Sequence, residues 1–244
     1  MRHPKTDYDL IIAGGGMVGS ALACALGETD LRIALLEGAP LERIRPKAEP
    51  DLRVSAISRA SQRIFAAVGA WERMTAWRVS PFRDMRVWDA TSFGHIHFDS
   101  ATLGEPLLGW IIENQVIQYA LLERARQLPV VELFCPTVLE TAEPLNEPGW
   151  RVQLNDGRTF TTRLLVGADG AQSSVRQRAG IATRGWSYDQ KALVGNVRTA
   201  EPHQATAWQR FLPTGPLAFL PLHDGRCSIV WSTTPEQADA LLAL

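Results

Sequence analysis

The 244-residue sequence holds three cysteines, five histidines and no excess of either charge, with 25 basic residues against 26 acidic ones. Each scarcity closes off a class of function. Cys24, Cys135 and Cys227 lie far apart with no paired spacing, so they form neither a disulfide framework nor a zinc motif. They suit a reducing cytosol, each as a small buried apolar residue. A near-zero net charge supplies no field to draw the chain to nucleic acid or to an acidic membrane surface. No run approaches the roughly 18 apolar residues of a membrane span, so any membrane contact is expected to be peripheral. There is no internal repeat, low-complexity tract or obvious linker, and no Ser-His-Asp set, carboxylate pair or metal cluster stands out. What remains is small-molecule work by one large domain or two closely packed smaller ones.

The most distinctive stretch is uncharged from Leu10 to Gly27 and contains three adjacent glycines. It admits three readings: a secretion signal, a buried strand and helix, or a phosphate cradle. Arg2 and Lys5 supply a positive flank for the first, but Asp7 and Asp9 contradict that flank and the glycines would interrupt the apolar helix a signal needs. Tyr8 to Ala13 reads as a strand buried on both faces, Met17 to Leu26 as a tightly packed helix, and Leu31 to Leu36 as a second strand ending at Glu37. That order is a βαβ unit. In Gly14-Gly15-Gly16-Met17-Val18-Gly19 the glycines fall at G-x-G-x-x-G spacing. Gly14 permits the turn out of the strand, Gly16 lets backbone approach a pyrophosphate, and Gly19 lets the helix pack on the sheet. The helix N-terminus offers N–H groups to phosphate. Glu37 is placed to accept hydrogen bonds from ribose hydroxyls, and an acid there favours FAD or NAD over NADP.

Downstream, Ser55 to Val68 and Glu113 to Leu128 read as helices. Met85 to Phe98 alternates as a strand pair, with His95 and His97 on its solvated side rather than in a metal site. Trp150 to Leu154 and Thr159 to Val166 form a hairpin through Asn155-Asp156-Gly157. Strand-like runs recur from Lys191 to Ser232, and a helix is expected from Pro235 to Leu244. The chain thus weaves an α/β nucleotide-binding part (about 1–80 and 110–185) with an antiparallel part (about 80–110 and 186–244).

Taken alone, Leu164 to Arg176 is a strand, an Asp-Gly turn and a serine-capped helix. With its Asp169-Gly170 it also resembles the second fingerprint of the flavoprotein aromatic hydroxylases. That resemblance implies FAD as cofactor, contacted by Gly14, Gly15, Gly16, Met17, Val18, Gly19, Glu37, Asp169 and Gly170, with NAD(P)H as co-substrate arriving near the Asp-Gly. The runs Leu52 to Ile57, Val87 to Ile96, Ile112 to Asn114, Tyr119 to Leu121, Ala218 to Leu222 and Cys227 to Ser232 look like the ubiquinone-biosynthesis branch of the family. By position, that branch makes Arg53 and Asn114 flavin-pocket residues and gives the backbone of Val138 to the adenine edge. The implied fold is a Rossmann-like FAD-binding domain interleaved with an antiparallel substrate sheet, p-hydroxybenzoate-hydroxylase-like.

The implied reaction is hydroxylation of the ring of a polyprenylated phenol or quinol with NAD(P)H and dioxygen, through a flavin hydroperoxide. The protein's part is to orient the ring and exclude water. A hydrophobic channel is expected along Phe211, Leu217, Phe219, Leu220, Pro221 and Leu222, which would equally serve as sheet core. Tyr188 and His223 are candidates for a base, and neither is singled out. The expected setting is cytoplasmic and peripheral to the inner membrane, within a quinone-biosynthesis enzyme complex. Family members carry a third fingerprint, a Gly-Asp-Ala-Ala-His run, that this sequence does not reach, so the isolated chain is expected to purify with little flavin. Two alternatives stay open: a hydroxylase of the same family acting at another ring position or on another aromatic, and a non-catalytic scaffold member.

Overall fold

The computed structural model describes residues 6–243. Arg2 and Lys5, the flank weighed for a secretion signal, lie outside the described residues, as does Leu244 of the expected last helix. In chain order the elements are β1 (Tyr8–Ala13), α1 (Met17–Ala25), β2 (Ile33–Leu36), α2 (Leu41–Ile44), β3 (Val54–Ser58), α3 (Arg59–Ala67), α4 (Trp71–Trp77), β4 (Ser80–Phe82), β5 (Asp84–Asp89) and β6 (His95–Asp99). A 3-10 turn follows, then β7 (Gly109–Glu113), α5 (Asn114–Ala125), β8 (Val131–Phe134), β9 (Leu139–Pro144), β10 (Trp150–Leu154), β11 (Thr159–Gly167), α6 (Ser174–Arg178), β12 (Lys191–Val197), β13 (Thr206–Leu212), β14 (Gly215–Pro221), β15 (Cys227–Thr233) and α7 (Pro235–Leu242).

These divide into two compact units: Met1–Pro46, Phe65–Arg73 and Gln115–Arg184 form one, and Lys47–Ile64, Met74–Asn114 and Gly185–Leu244 the other. The interleaving is finer than the expected boundaries, because 47–64 and 74–80 group with the second unit rather than with the nucleotide-binding part.

The first unit is built on a six-stranded sheet ordered β8-β2-β1-β11-β10-β9. β8, β2, β1 and β11 run parallel, and β10 and β9 continue the sheet antiparallel. β1 and β2 are buried on both faces, with Ile11, Ile12, Ile33 and Leu35 at 0 % exposure. That double burial is why they read as continuous apolar runs instead of alternating ones. The hairpin turn at Asn155-Asp156-Gly157 is present, with Gly157 at φ +87°.

The second unit holds a six-stranded sheet, β12-β15-β14-β13-β5-β6, and a three-stranded sheet, β3-β7-β4. The two antiparallel stretches read from the sequence join through one parallel pair, β13 with β5. Met85, Ala207 and Leu220 of the larger sheet pack with Phe82 and Ile111 of the smaller one. The helix expected from Ser55 to Val68 is corrected: Val54–Ser58 is a strand and only Arg59–Ala67 is helical. A five-residue run of this kind carries no decisive period. Pairing with β7, from Val54 opposite Glu113 to Ser58 opposite Gly109, decides it.

The cysteines take the expected buried roles in part. Cys24 and Cys227 are buried and Cys135 is half-buried. Burial pushes the Cys24 thiol up to about 11, which leaves it protonated and unreactive at neutral pH.

Candidate functional site

The turn between β1 and α1 uses its glycines for different physical reasons. Gly14 sits at φ +107°, where a Cβ would also run into the carbonyl of Ala168. Its N–H donates to Leu36 O (3.0 Å), while Ala168 N–H donates to Ala13 O (2.7 Å), so the turn is clamped between β2 and the end of β11. A Cβ on Gly19 would collide with the Gly14 carbonyl oxygen and come within 3.1 Å of Ile12; this is the close helix-on-strand packing read from the motif. A Cβ on Gly15 would come 2.7 Å from the Glu37 Cβ. Gly16 differs from all three. Its backbone is extended, and a Cβ there would meet nothing within 4 Å. No protein group requires glycine at that position, so the space over it is room for something else. Met17 and Val18 open the first turn of α1, with the Val18 side chain 76 % exposed.

A cavity of about 460 Å³ lies over this turn, and its lining includes Gly14, Gly16, Glu37, Val138, Asp169 and Gly170. Residues from four separate parts of the sequence are therefore brought together within one unit. Glu37 follows β2 directly and is only 8 % exposed. Its Oε1 accepts from Ala39 N–H (2.7 Å) and its Oε2 from Gln118 Nε2 (3.1 Å). Gln118 also donates to Gly15 O (3.0 Å), joining the acid to the glycine turn. Each carboxylate oxygen keeps acceptor capacity for a hydroxyl donor. Gln118 was not among the sequence candidates. Its one signal was a polar residue within the otherwise buried Val116–Leu122 face of α5.

Asp169 is engaged by its own chain. Ser173 Oγ donates to Oδ1 (2.5 Å), and Ser174 N–H, Ser174 Oγ and Val175 N–H donate to Oδ2 at 2.6, 3.0 and 3.3 Å. Burial pushes its pKa up, but the hydrogen bonds from Ser173, Val175 and Ser174 outweigh that and hold the carboxyl below the ordinary aspartate value. The side chain thus fixes the start of α6, and the Asp169-Gly170 backbone is what borders the cavity. Val138 is similar. Its N–H donates to Asn155 Oδ1 (3.1 Å) and its carbonyl accepts from Asn155 N–H (3.1 Å), so the backbone groups expected to meet an adenine edge are already paired. Its side chain fills the space beside Gly38, where a Cβ would come 2.6 Å from Val138 Cγ1.

The remaining candidates fall in the second unit. Asn114 N–H donates to Arg53 O (2.9 Å), and Ser55 Oγ donates to Asn114 Oδ1 (2.7 Å). Of the expected channel residues, Leu220 packs against and Leu222 belongs to the buried cluster with Phe82 and Ile111. These two are therefore core rather than an open channel wall. Pro221 is also buried. Leu217 and Phe219 share the opposite sheet face with Trp208 and Trp231. Phe211 is 46 % exposed. Tyr188 is 77 % exposed and packs edge-on against Trp186, and His223 is exposed in the turn after β14. His97 Nε2 lies 2.7 Å from Asp84 Oδ1, which occupies that ring nitrogen.

A family model described as FAD binding domain matches residues 7–240. The chain belongs to the FAD binding domain family. Its cofactor is FAD, and the cavity suits it: open space over Gly16 for phosphate, and a held carboxylate at Glu37 for ribose. Among curated proteins, the ubiquinone biosynthesis monooxygenase COQ6 of Mus musculus is 40 % identical over 98 % of this chain and 53 % of its own length. The 3-demethoxyubiquinol 3-hydroxylase of Escherichia coli K12 is 37 % identical over 94 % of this chain and 58 % of its own. The ubiquinone hydroxylase UbiL of Rhodospirillum rubrum is 38 % identical, covering 97 % and 54 %. The resemblance to the ubiquinone-biosynthesis branch therefore holds, and the chain spans about half the length of the curated relatives it matches. Among solved structures, PqsL of Pseudomonas aeruginosa in complex with 2-aminobenzoylacetate is similar with a TM-score of 0.81 at 25 % identity, covering 97 % of this chain and 63 % of that one. The p-nitrophenol 4-monooxygenase PnpA of Pseudomonas putida shares the fold at TM-score 0.75 and 18 % identity, covering 93 % and 58 %. The expected p-hydroxybenzoate-hydroxylase-like architecture is borne out.

Proposed function

We propose that the chain supplies the FAD-binding and substrate units of a hydroxylase that oxygenates the ring of a polyprenylphenol in ubiquinone biosynthesis. The observation that carries this reading is Gly16, a glycine that nothing in the protein requires, at the mouth of a cavity shared with Glu37 and the Asp169-Gly170 turn. In this reading the first unit holds the cofactor. The N-terminal N–H groups of α1, opened by Met17 and Val18, face phosphate, Glu37 accepts from ribose hydroxyls, and the open backbone at Gly16 and Gly170 leaves room for the dinucleotide. Arg53 and Asn114, which the family resemblance gives to the flavin pocket, are joined to each other within the second unit by the Asn114 N–H to Arg53 O bond (2.9 Å). Bound FAD, reduced by NAD(P)H, supplies the oxygen activation. The overall change is balanced: one oxygen atom of O2 enters a ring C–H bond, the other leaves as water, and NAD(P)H with one proton supplies the electron pair and hydrogen. The protein's own part is to orient the ring and keep water away, with Leu217 and Phe219 as the apolar surface for a prenylated substrate.

The names of the relatives support the pathway, and the E. coli protein acts as a 3-demethoxyubiquinol 3-hydroxylase, so ring position is the point to test. With FAD, NAD(P)H and O2 supplied, 2-polyprenylphenol is expected to gain one hydroxyl in preference to a demethoxyubiquinol. Preferential turnover of the demethoxyubiquinol would overturn the substrate assignment, and failure of FAD to saturate a fluorescence titration would overturn the cofactor site. Among the described residues no helix is long and apolar enough to cross a membrane. We further propose that a prenylated substrate is met at a membrane surface and that the chain works within a quinone-biosynthesis assembly. Absence of co-sedimentation with ubiquinone-loaded vesicles would count against that placement.

A further inference from the structure

Glu37 has a long side chain, and a carboxylate held by a single hydrogen bond still swings about that bond. Fixing such a group when a ligand arrives costs affinity unless the fold has fixed it beforehand. Here two donors hold it, one on each oxygen: Ala39 N–H on Oε1 (2.7 Å) and Gln118 Nε2 on Oε2 (3.1 Å). The first donor is a near neighbour in the chain, whereas the second comes from α5, 81 residues away in sequence. The Gln118 nitrogen also donates to Gly15 O (3.0 Å). Both of its partners are acceptors only, so the amide must present its NH2 group to them, and each of the two hydrogens has one partner. A glutamate at this position would set acceptor against acceptor. An apolar residue of similar length would remove the bond to Glu37 Oε2 while leaving Gly15 O its second donor, Ser20 Oγ (2.9 Å). Gln118, Gly15 and Glu37 all belong to the first unit. Glu37 lines the cavity and Gln118 does not, so any effect of Gln118 on a ligand passes through the acid and the turn.

We propose that Gln118 is a positioning residue that aims the Glu37 carboxylate at a ribose diol, and that it thereby sets the preference of this site for a ribonucleotide over one lacking those hydroxyls. The proposal rests on the reading of Glu37 as the ribose acceptor, while the role of Gln118 rests on its hydrogen bonds alone. A site built to bond a ligand hydroxyl rejects the analogue without it, because the site's polar group is then left unpaired. Such rejection requires the acceptor to point one way before the ligand arrives. Because the same amide nitrogen is tied to the glycine turn, the acid is also held at a fixed distance from the backbone that meets phosphate in this reading.

The test uses ADP, the ribose-bearing half of the cofactor, and 2′,3′-dideoxy-ADP as probes, with affinities from titration calorimetry. They are read for the wild type, Gln118→Met, Glu37→Gln, the double variant and Ser20→Ala. Methionine matches glutamine in length and helix propensity, melting temperatures check the fold, and Gln118→Leu is read alongside so that misfolding of one variant leaves the other to decide. The wild type is expected to prefer ADP by about tenfold, the scale of hydrogen bonds to a charged group. Gln118→Met should lose that preference by weakening ADP alone, the double variant should show no smaller preference than Glu37→Gln, and Ser20→Ala should keep it. A Gln118→Met protein that still prefers ADP, or that binds both nucleotides more weakly by the same factor as a merely structural residue would, overturns the proposal and leaves the ribose reading of Glu37 standing. Loss of the preference in Ser20→Ala does the same, since the turn rather than the acid would then be decisive. A wild type that binds the two nucleotides alike, or binds neither, overturns the Glu37 reading and the proposal together.

Discussion

The two units prepare their candidate site residues by opposite routes. In the first, the arrangement is mostly backbone: the turn at Gly14–Gly16 that opens α1 is clamped between neighbouring strands, and Asp169 caps the short helix that follows its own strand. In the second, the irregular stretch at Ala48, Pro50 and Asp51 that leads to Arg53 is held by side chains far away in sequence, namely Arg78, Asn196 and Glu113. A backbone-built site is written in a contiguous motif. A site held by remote side chains tolerates many local sequences and fails through residues that no motif contains.

The comparison makes graded predictions. Glu113→Ala should be the most damaging substitution, costing about 3–5 kcal/mol in urea unfolding, because Arg78, which pairs with Glu113 at 2.5 Å with its side chain 10 % exposed, is left buried without its partner; a cost below ~1 kcal/mol would mean that water reaches the pair. Leu222→Ala should follow at about 2–3 kcal/mol, since Leu222 is 3 % exposed in the second unit's core. Leu217→Ala, on the opposite face, should cost under ~1 kcal/mol; equal costs would show that the two faces are equally packed. Asp169→Ala should cost about 1 kcal/mol, the scale of a lost helix cap. Its pH dependence has a definite sign. The folded-state pKa lies below the ordinary aspartate value of 3.8, so the wild-type advantage is whole above that value and is lost as pH falls through the lower folded-state value. Unfolding curves of both proteins between pH 7 and pH 3 should therefore converge only at the acid end, and convergence near neutrality would contradict the assignment.

Much of the first unit was readable in the sequence because its signals are local. The doubly buried strands show as apolar runs, the G-x-G-x-x-G spacing marks the turn, and Glu37 ends the second strand. Gln118, which links Glu37 to Gly15, was missed because a glutamine on a buried helix has no distinctive spacing. In the second unit, Ser55–Ser58 read as helix because its pairing partner, Gly109–Trp110 and the residues after it, lies some fifty residues away. The parallel contact of β13 with β5 was invisible for the same reason: local alternation identifies a strand without naming its neighbour. For Leu220 and Leu222 channel wall and sheet core stay equally open in the sequence, because an apolar strand looks the same whether it faces a ligand or a second sheet. Only the packing of Phe82 and Ile111 separates the two.

The central claim is that Gly16 is glycine for the ligand's sake, whereas Gly14 and Gly19 are glycine for the protein's. Gly16→Ala and Gly19→Ala, each measured by thermal unfolding and by FAD titration, test it most directly. The account predicts that Gly16→Ala unfolds within about 1 kcal/mol of wild type yet binds FAD at least tenfold more weakly, about 1.4 kcal/mol, while Gly19→Ala loses stability and binding together. A Gly16→Ala protein that binds FAD as tightly as wild type would contradict it.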